Sequence, residues 1–244
     1  MRAIHDNLQA VQGRIARAAA AAGRDPRSVT LLAVSKTHRA TLVEEALAAG
    51  QRAFGENYVQ EAVEKMDALA GKLGEERTRA LEWHLIGPLQ SNKTRLAAER
   101  FDWVHCVESG KTARRLSEQR PAGMPVLNVL IQVNVSGEAS KSGVAPEKVL
   151  FLAREIDTLP RLKLRGLMAI PEPGADVARY RKLKNLYERL KDEFRFDTLS
   201  VGMSDDLEAA IAEGATMVRI GTAIFGTRAS SGGTGLPPMQ KSAA

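Results

Sequence analysis

A lysine directly after a predicted buried strand is the first candidate for chemistry in this chain. Residues 31–34 are apolar and rich in branched side chains, which predicts a strand buried on both faces, and Lys36 follows shortly after. Burying an ammonium group is costly, so this amine needs a carboxylate partner, access to solvent, a lowered pKa or conversion to an imine. The stretch by itself does not choose between an imine-forming lysine and one that simply reaches solvent.

Small and hydroxyl-bearing residues follow the last two predicted strands. Ser200, Ser204, Gly221 and Thr222 permit a close approach to the backbone and add hydroxyl donors. The loops after strands 7 and 8 of α/β barrels often hold a phosphate through backbone N–H groups. The same residue types also suit helix caps and turns, and the two uses are compatible.

Arg219 lies one residue before the end of the last predicted strand. A permanent charge there needs an acidic partner or a ligand that accepts its hydrogen bonds. An arginine that faces a pyridine nitrogen keeps that nitrogen unprotonated and weakens the ring as an electron sink. A lysine at a strand end, a phosphate cradle and this arginine together suggest a pyridoxal 5′-phosphate (PLP) site.

The elements that must position these residues alternate along the chain. Short apolar runs predict strands over 31–36, 52–55, 83–87, 103–107, 126–133, 162–169, 198–201 and 217–220. Amphipathic stretches between and after them predict helices over 41–49, 59–73, 92–99, 111–119, 146–157, 177–194, 207–213 and 222–225. Eight such units predict a single closed (β/α)8 TIM barrel of class α/β. An open doubly wound sheet gives a similar alternation, but no G-x-G-x-x-G motif follows any strand.

The predicted barrel belongs to one domain over residues 1–228. Apolar residues at helical spacing predict an extra N-terminal helix within residues 1–23. Residues 229–244 are rich in glycine, serine and proline, which predicts a flexible tail.

Composition limits the partners. The 35 basic and 29 acidic residues leave a net charge of +6, which favours anionic ligands. Aromatic residues make up only 5% and are not interleaved with a basic block, so nucleic-acid binding is disfavoured. The lone cysteine, Cys106, excludes an internal disulfide and agrees with a cytoplasmic location, and no apolar run is long enough to span a bilayer. The four histidines lack metal-ligand spacing, so we expect no metal site.

Seven stretches carry a resemblance to a known family. They read AVSKTH, FGENYVQE, WHLIGPLQSNK, VNVSGEASKSG, GLMAI, LSVGMSDD and VRIGTAIFG, and they run in consistent order from about residue 30 to 228. Jointly they resemble the pyridoxal phosphate homeostasis proteins. That resemblance implies the N-terminal barrel of bacterial alanine racemase, a PLP fold of type III, without the second, β-rich domain of that enzyme.

The resemblance also implies residue roles. Lys36 matches the lysine that holds PLP as a Schiff base, and Arg219 matches the residue that faces the pyridine nitrogen. Ser200, Gly221 and Thr222 fall where the family binds the phosphate. Asn57, His84 and Met203 fall in motifs around the pocket. Lys141 falls in a mobile loop and is expected to serve as an accessory lysine for cofactor transfer.

Two functions of different class follow. In the first, the protein buffers and delivers PLP to client enzymes within vitamin B6 homeostasis, as a monomer and without catalytic turnover. In the second, it is a PLP-dependent amino-acid racemase like alanine racemase. That chemistry needs a second base on the opposite face of the cofactor, typically a tyrosine from the extra domain of a partner subunit. Tyr180 and Tyr187 lie on a predicted outer helix at core spacing, and Tyr58 begins a predicted helix near the barrel rim. No second base is therefore evident, and we favour the carrier.

Overall fold

The eight predicted strands form one closed barrel. The structure, a computed structural model, describes residues 2–138, 142–172, 174 and 176–227. The strands are parallel and neighbour one another in chain order. They are β1 (Thr30–Val34), β2 (Ala53–Glu56), β3 (Glu82–Leu85), β4 (Trp103–Val107), β5 (Leu127–Gln132), β6 (Leu162–Met168), β7 (Thr198–Ser200) and β8 (Met217–Ile220).

Helices follow the strands on the outside of the barrel. They are α1 (Arg2–Ala21), α2 (Ala40–Ala48), α3 (Val59–Leu73), α4 (Glu75–Thr78), α5 (Thr94–Arg100), α6 (Gly110–Gln119), α7 (Val149–Asp157), α8 (Val177–Phe194), α9 (Leu207–Ala212) and α10 (Thr222–Phe225). The predicted elements are confirmed within a few residues at their ends, and the one-turn helix α4 was not predicted. None of the helices in the described ranges is long and apolar enough to cross a membrane.

Closure of the sheet depends on the pairing of the first and last strands. β1 pairs with β8 in a register that sets Thr30 opposite Met217 and Ala33 opposite Ile220. An open doubly wound sheet would leave these two strands apart, so the barrel prediction is confirmed. The consequence for the site is that β7, β8, β1 and β2 are consecutive neighbours around the barrel.

Side chains alternate between the two faces of each strand. Ala33, Phe54 and Leu85 belong to the large core cluster that also contains the buried faces of the helices. Leu32 and Val34, the alternate positions of β1, form a separate small cluster with residues of β2 and β8 in the barrel interior. The interior is therefore filled by small apolar clusters and, between them, by the buried polar side chains described below.

The N-terminal helix packs against the last two helices of the described chain. Ile4, Leu8, Val11, Ile15 and Ala19 form the buried stripe of α1, which packs against α2, α9 and α10. A further polar contact fixes it, since the Arg24 guanidinium donates to the carbonyl oxygens of Ile211 and Ala215 at 2.8 and 2.9 Å. The predicted tail, residues 229–244, lies outside the described residues, so its flexibility stays a prediction.

Candidate functional site

Lys36 lies two residues beyond the end of β1, at the C-terminal mouth of the barrel, and is half-buried. The preceding residue, Ser35, is fully buried, whereas the following residue, Thr37, is exposed. Thr37 has φ 64°, a left-handed conformation that a β-branched residue seldom adopts. The chain therefore turns sharply at the residue after the candidate imine-forming lysine.

A buried charged cluster from β2 and α3 holds this turn. Lys65 on α3 donates to the Ser35 carbonyl oxygen at 2.8 Å and lies 2.5 Å from Glu56 Oε1. The Ser35 hydroxyl donates to the same Glu56 oxygen at 2.6 Å. Glu61, which lies 3.2 Å from Lys65, accepts the Thr37 N–H at 2.5 Å. The cluster therefore forms hydrogen bonds with the backbone of Ser35 and of Thr37, the residues on either side of Lys36.

Glu56 is the least solvated member of this cluster. Its side chain is fully buried, and its Oε2 atom has no hydrogen-bond partner within the described part of the chain. Burial raises the pKa of Glu56, against the opposing effect of the Lys65 ammonium. Lys65 is thus the main group that favours the ionised form of Glu56.

Arg219 lies in β8, the last strand, and is buried. One of its nitrogens donates to both the carbonyl oxygen and the hydroxyl of Ser200 at 2.8 Å, and the other donates to the Ala169 carbonyl oxygen at 2.9 Å. Burial lowers the pKa of Arg219 to about 10, so the guanidinium stays charged at neutral pH. Its described hydrogen-bond acceptors are all neutral, so none of them cancels the positive charge of the guanidinium.

The loop after β7 is shaped by internal hydrogen bonds. Gly202 has φ 102°, and a Cβ there would lie 2.6 Å from the Ala210 side chain, so only glycine fits. Asp206 accepts the Met203 N–H and the Tyr180 hydroxyl, both at 2.5 Å. Met203 and Ser204 are half-buried and reach the mouth of the barrel on this loop.

The loop after β8 meets the end of β1. A Cβ on Gly221 would lie 3.1 Å from the Val34 carbonyl oxygen, which shows how closely the two strand ends approach. Helix α10 begins at Thr222, and the first N–H groups of a helix have no acceptor within it. Closure of the barrel therefore brings the end of β1, which leads into Lys36, beside Gly221, although 184 residues lie between Lys36 and Gly221 in the sequence.

Helix α1 supports both of these loops from outside. Arg14 donates to the Ser204 carbonyl oxygen at 2.9 Å and forms an ion pair with Glu208 at 2.8 Å. Asn7 donates to the Ile224 carbonyl oxygen in α10 at 2.9 Å. The extra helix thus ties the loop after β7 to the helix after β8.

Asn57 and His84, predicted together around the pocket, lie at different levels. Asn57 follows β2 at the mouth and is half-buried; a Cβ on Gly87 would lie 2.4 Å from the Asn57 carbonyl oxygen, so glycine is required beside it. His84 instead lies inside the barrel, opposite Trp103, the first residue of β4, and stacks on that ring. Its position in β3 turns the side chain inward, and its predicted place around the pocket stays a prediction.

Ser200 lies inside the barrel, next to Arg219. Its hydroxyl is fully buried and contacts Arg219 at 2.8 Å and His105 Nδ1 at 3.3 Å. Ser204, on the loop after the same strand, is half-buried, and the phosphate roles predicted for both serines stay predictions. Lys141 lies outside the described residues, so its predicted accessory role stays a prediction.

The sequence-based interpretation missed Lys65 and His105. Lys65 lies next to Met66 and one turn from Leu69 in the buried stripe of α3, so a lysine inside an apolar stripe was the available signal. His105 alternates with Trp103 on the inner face of β4, and period-2 alternation within a strand was the signal there. Within the described residues, no group of three or more potential metal ligands converges.

Comparison with known proteins defines the class first. A sequence profile described as the N-terminal domain of alanine racemase matches residues 7–229. The solved alanine racemase of Clostridium difficile 630 superposes with a TM-score of 0.70 at 16% identity, over 95% of this chain and 58% of that one. At this identity the likeness concerns the fold, which is the barrel of that domain.

Closer relatives define the family. The pyridoxal phosphate homeostasis protein of Pseudomonas aeruginosa PAO1 is 60% identical over 230 residues, 93% of this chain and 97% of the relative. Its counterpart in Escherichia coli K12 is 54% identical over 233 residues, 93% and 98% of the two chains. PipY of Synechococcus elongatus PCC7942, solved with PLP bound, has a TM-score of 0.77 at 36% identity, over 91% of this chain and all of that one. The chain therefore belongs to the family of pyridoxal phosphate homeostasis proteins.

Proposed function

We propose that this protein binds PLP covalently at Lys36 and serves to buffer and deliver the cofactor rather than to turn over a substrate. The observation that carries the proposal is the pairing of β1 with β8, which sets the end of β1, two residues before Lys36, beside Gly221. The relatives named as homeostasis proteins and the PLP-bound PipY support it.

The donor set fits an anionic aldehyde cofactor. The aldehyde carbon of PLP would condense with the Lys36 amine, with loss of water, to give the Schiff base. The N–H groups of Gly221 and Thr222 and the Ser204 hydroxyl would hold the phosphate. Arg219, charged and bound to neutral acceptors, would face the pyridine nitrogen, and Asn57 and Met203 would border the ring at the mouth. Ser200 would also support Arg219, whose guanidinium donates to its carbonyl oxygen and hydroxyl.

The lack of an evident second base favours a carrier over a racemase. The tyrosine hydroxyls of α8 are engaged elsewhere: Tyr180 donates to Asp206 at 2.5 Å and Tyr187 to the Phe196 carbonyl oxygen at 3.2 Å. Tyr58 is 57% exposed at the start of α3, open to solvent at the rim. A cytoplasmic location, a monomeric state and PLP-dependent client enzymes remain parts of the proposal.

Borohydride trapping tests the attachment. The purified protein is saturated with PLP, reduced with borohydride and digested, and the modified peptide is identified by mass spectrometry. We expect a pyridoxyl group on Lys36 and no such group at that position in Lys36→Ala. The surface variant Lys72→Ala serves as the control, since Lys72 lies on α3 and pairs with Glu44 outside the site. A wild-type adduct on another lysine, such as Lys141, would contradict the assignment.

Exchange and transfer assays test the carrier role. Incubation of the PLP-bound protein with single amino acids in deuterated water should give α-proton exchange far slower than roughly 1 per second, the lower range of ordinary enzymes. Mixing it with an apo PLP-dependent enzyme should restore that enzyme's activity. Exchange at enzyme-like rates would favour the racemase instead.

A further inference from the structure

A line of polar side chains runs from Arg219 through the interior of the barrel and ends at the exposed Glu82. The Ser200 hydroxyl lies 2.8 Å from the guanidinium and 3.3 Å from His105 Nδ1. His105 Nε2 lies 3.0 Å from His84 Nδ1, and His84 Nε2 lies 3.7 Å from Glu82 Oε2. The line connects β8, β7, β4 and β3, and both histidines are fully buried.

The Glu82 carboxylate favours one direction for the hydrogen bonds in this line. At 3.7 Å its contact with His84 Nε2 is longer than a hydrogen bond, and Nε2 has no hydrogen-bond partner among the described residues, but a proton on Nε2 faces the negative charge better than a lone pair does. With that proton on Nε2, His84 Nδ1 accepts from His105 Nε2–H, and Nδ1 of His105 is left to accept from the Ser200 hydroxyl. The Ser200 oxygen also accepts from the Arg219 guanidinium, which can only donate. The charge at the Glu82 end therefore favours one tautomer for each ring.

Burial keeps both rings neutral. Desolvation lowers the pKa of His84, and it lowers that of His105 well below the ordinary value, helped by the nearby Arg219 charge. A protonated His105 would present a donor at Nδ1, and the Ser200 hydroxyl would have to turn its proton away. The line can therefore hold its direction throughout the neutral pH range.

We propose that His105 is a positioning residue for Arg219, acting through Ser200, and thereby orients the guanidinium that faces the cofactor ring. The inference rests on the proposed PLP function. A serine hydroxyl rotates freely, and an acceptor at Nδ1 of His105 fixes it so that the Ser200 lone pairs face the arginine. His84 and Glu82 complete the arrangement by fixing the tautomer of His105.

The tautomers can be measured without any cofactor. Long-range 15N–1H correlation spectra of the ligand-free protein, assigned with His84→Gln and His105→Gln variants, report which ring nitrogen of each histidine carries the proton. We expect Nε2–H and a bare Nδ1 for both rings at neutral pH. A proton on Nδ1 of His105, or a charged ring, would overturn the proposal.

Paired substitutions test the effect on binding. His105→Gln keeps an acceptor toward Ser200 and a donor toward His84, whereas His105→Leu keeps neither. We expect PLP to bind His105→Leu roughly tenfold more weakly, the equivalent of one lost hydrogen bond, and His105→Gln within about twofold of wild type. Cys106→Ala is the matched control, because its side chain, one residue further along β4, packs on the outer face of the strand.

The outcomes separate this inference from the proposed function. Absence of a pyridoxyl adduct on Lys36 in the wild-type protein would contradict the proposed function. A wild-type adduct, together with unchanged PLP affinity and an unchanged visible spectrum in His105→Leu, would contradict only the positioning role of His105. If His105→Leu does not fold, the tautomers of the wild-type protein and the binding by His105→Gln decide.

Discussion

Two buried cations near the mouth of the barrel are solvated in opposite ways. Lys65 lies outside the sheet, 2.5 Å from the Glu56 carboxylate and 3.2 Å from that of Glu61. Arg219 lies inside, and its described hydrogen-bond acceptors are two carbonyl oxygens and one hydroxyl. The first charge is balanced within the protein, so it can serve only the backbone around Lys36. The second is offset only in part, by the Asp206 carboxylate, which raises its pKa, so a positive potential remains for a negatively charged or electron-rich ligand.

The largest expected effect is from removing the balanced cation. Lys65→Met leaves the fully buried Glu56 without its counter-charge, and breaking such a pair costs about 3 kcal/mol or more of the free energy of unfolding. Urea denaturation near neutral pH measures it. Lys72→Met, at an exposed pair on the same helix, is the control and should change stability by less than about 0.5 kcal/mol.

A second substitution sharpens this prediction. Glu56→Gln in the Lys65→Met background removes the unpaired charge and should recover part of the loss. Equal losses for the single and double variants would contradict a buried ion pair.

Removal of the unbalanced cation should cost less. Arg219→Met leaves three neutral acceptors without their donor but breaks no ion pair among the described residues, so we expect a loss of about 1–2 kcal/mol, below that of Lys65→Met. The same urea titration measures it. A loss equal to that of Lys65→Met would show that the two sites do not differ as described. PLP binding should weaken as well, which a titration followed by visible absorbance checks.

Acid should act on the barrel interior through its histidines. Because burial lowers the folded-state pKa of His84 and His105, the unfolded chain binds more protons below its ordinary histidine pKa of about 6.5. Their contribution is therefore complete above that pH and is lost as the pH falls, by about 1 kcal/mol per ring between pH 7.5 and 5.5.

A comparison of variants isolates this contribution. The pKa values of Glu56 and Asp102 are raised by burial, so those carboxyls favour the folded state as the pH falls and partly mask the histidines. The change in unfolding free energy from pH 7.5 to 5.5 should differ between His105→Gln and wild type by about 1 kcal/mol. Parallel curves would mean that His105 is already charged in the folded protein.

The smallest effect concerns the turn after Lys36. With φ 64° at Thr37, glycine suits the backbone better than alanine, which reverses the usual order of stability. We expect Thr37→Gly to be more stable than Thr37→Ala by about 0.5–1 kcal/mol in the same denaturation assay. The opposite order would show that the turn relaxes when the threonine is removed.

Local pattern determined most of the fold. The runs at 103–107 and 217–220 and the helix Val59–Leu73 have the predicted limits, because apolar periodicity and flanking turn residues act over a few residues only. The strand ends also identified Lys36, Gly221 and Thr222 as mouth residues. Pattern could not show whether β1 and β8 pair, since closure depends on contacts between the two ends of the chain.

Tertiary structure alone decided how the charges are solvated. That Lys65 pairs with Glu56, that the Ser200 hydroxyl accepts from Arg219, and that His84 contacts His105 all follow from side chains brought together by barrel closure. The residue types state which groups can donate or accept. Only the closed barrel determines which of them meet, because the energy of a buried charge or hydrogen bond depends on neighbours that are distant in the sequence.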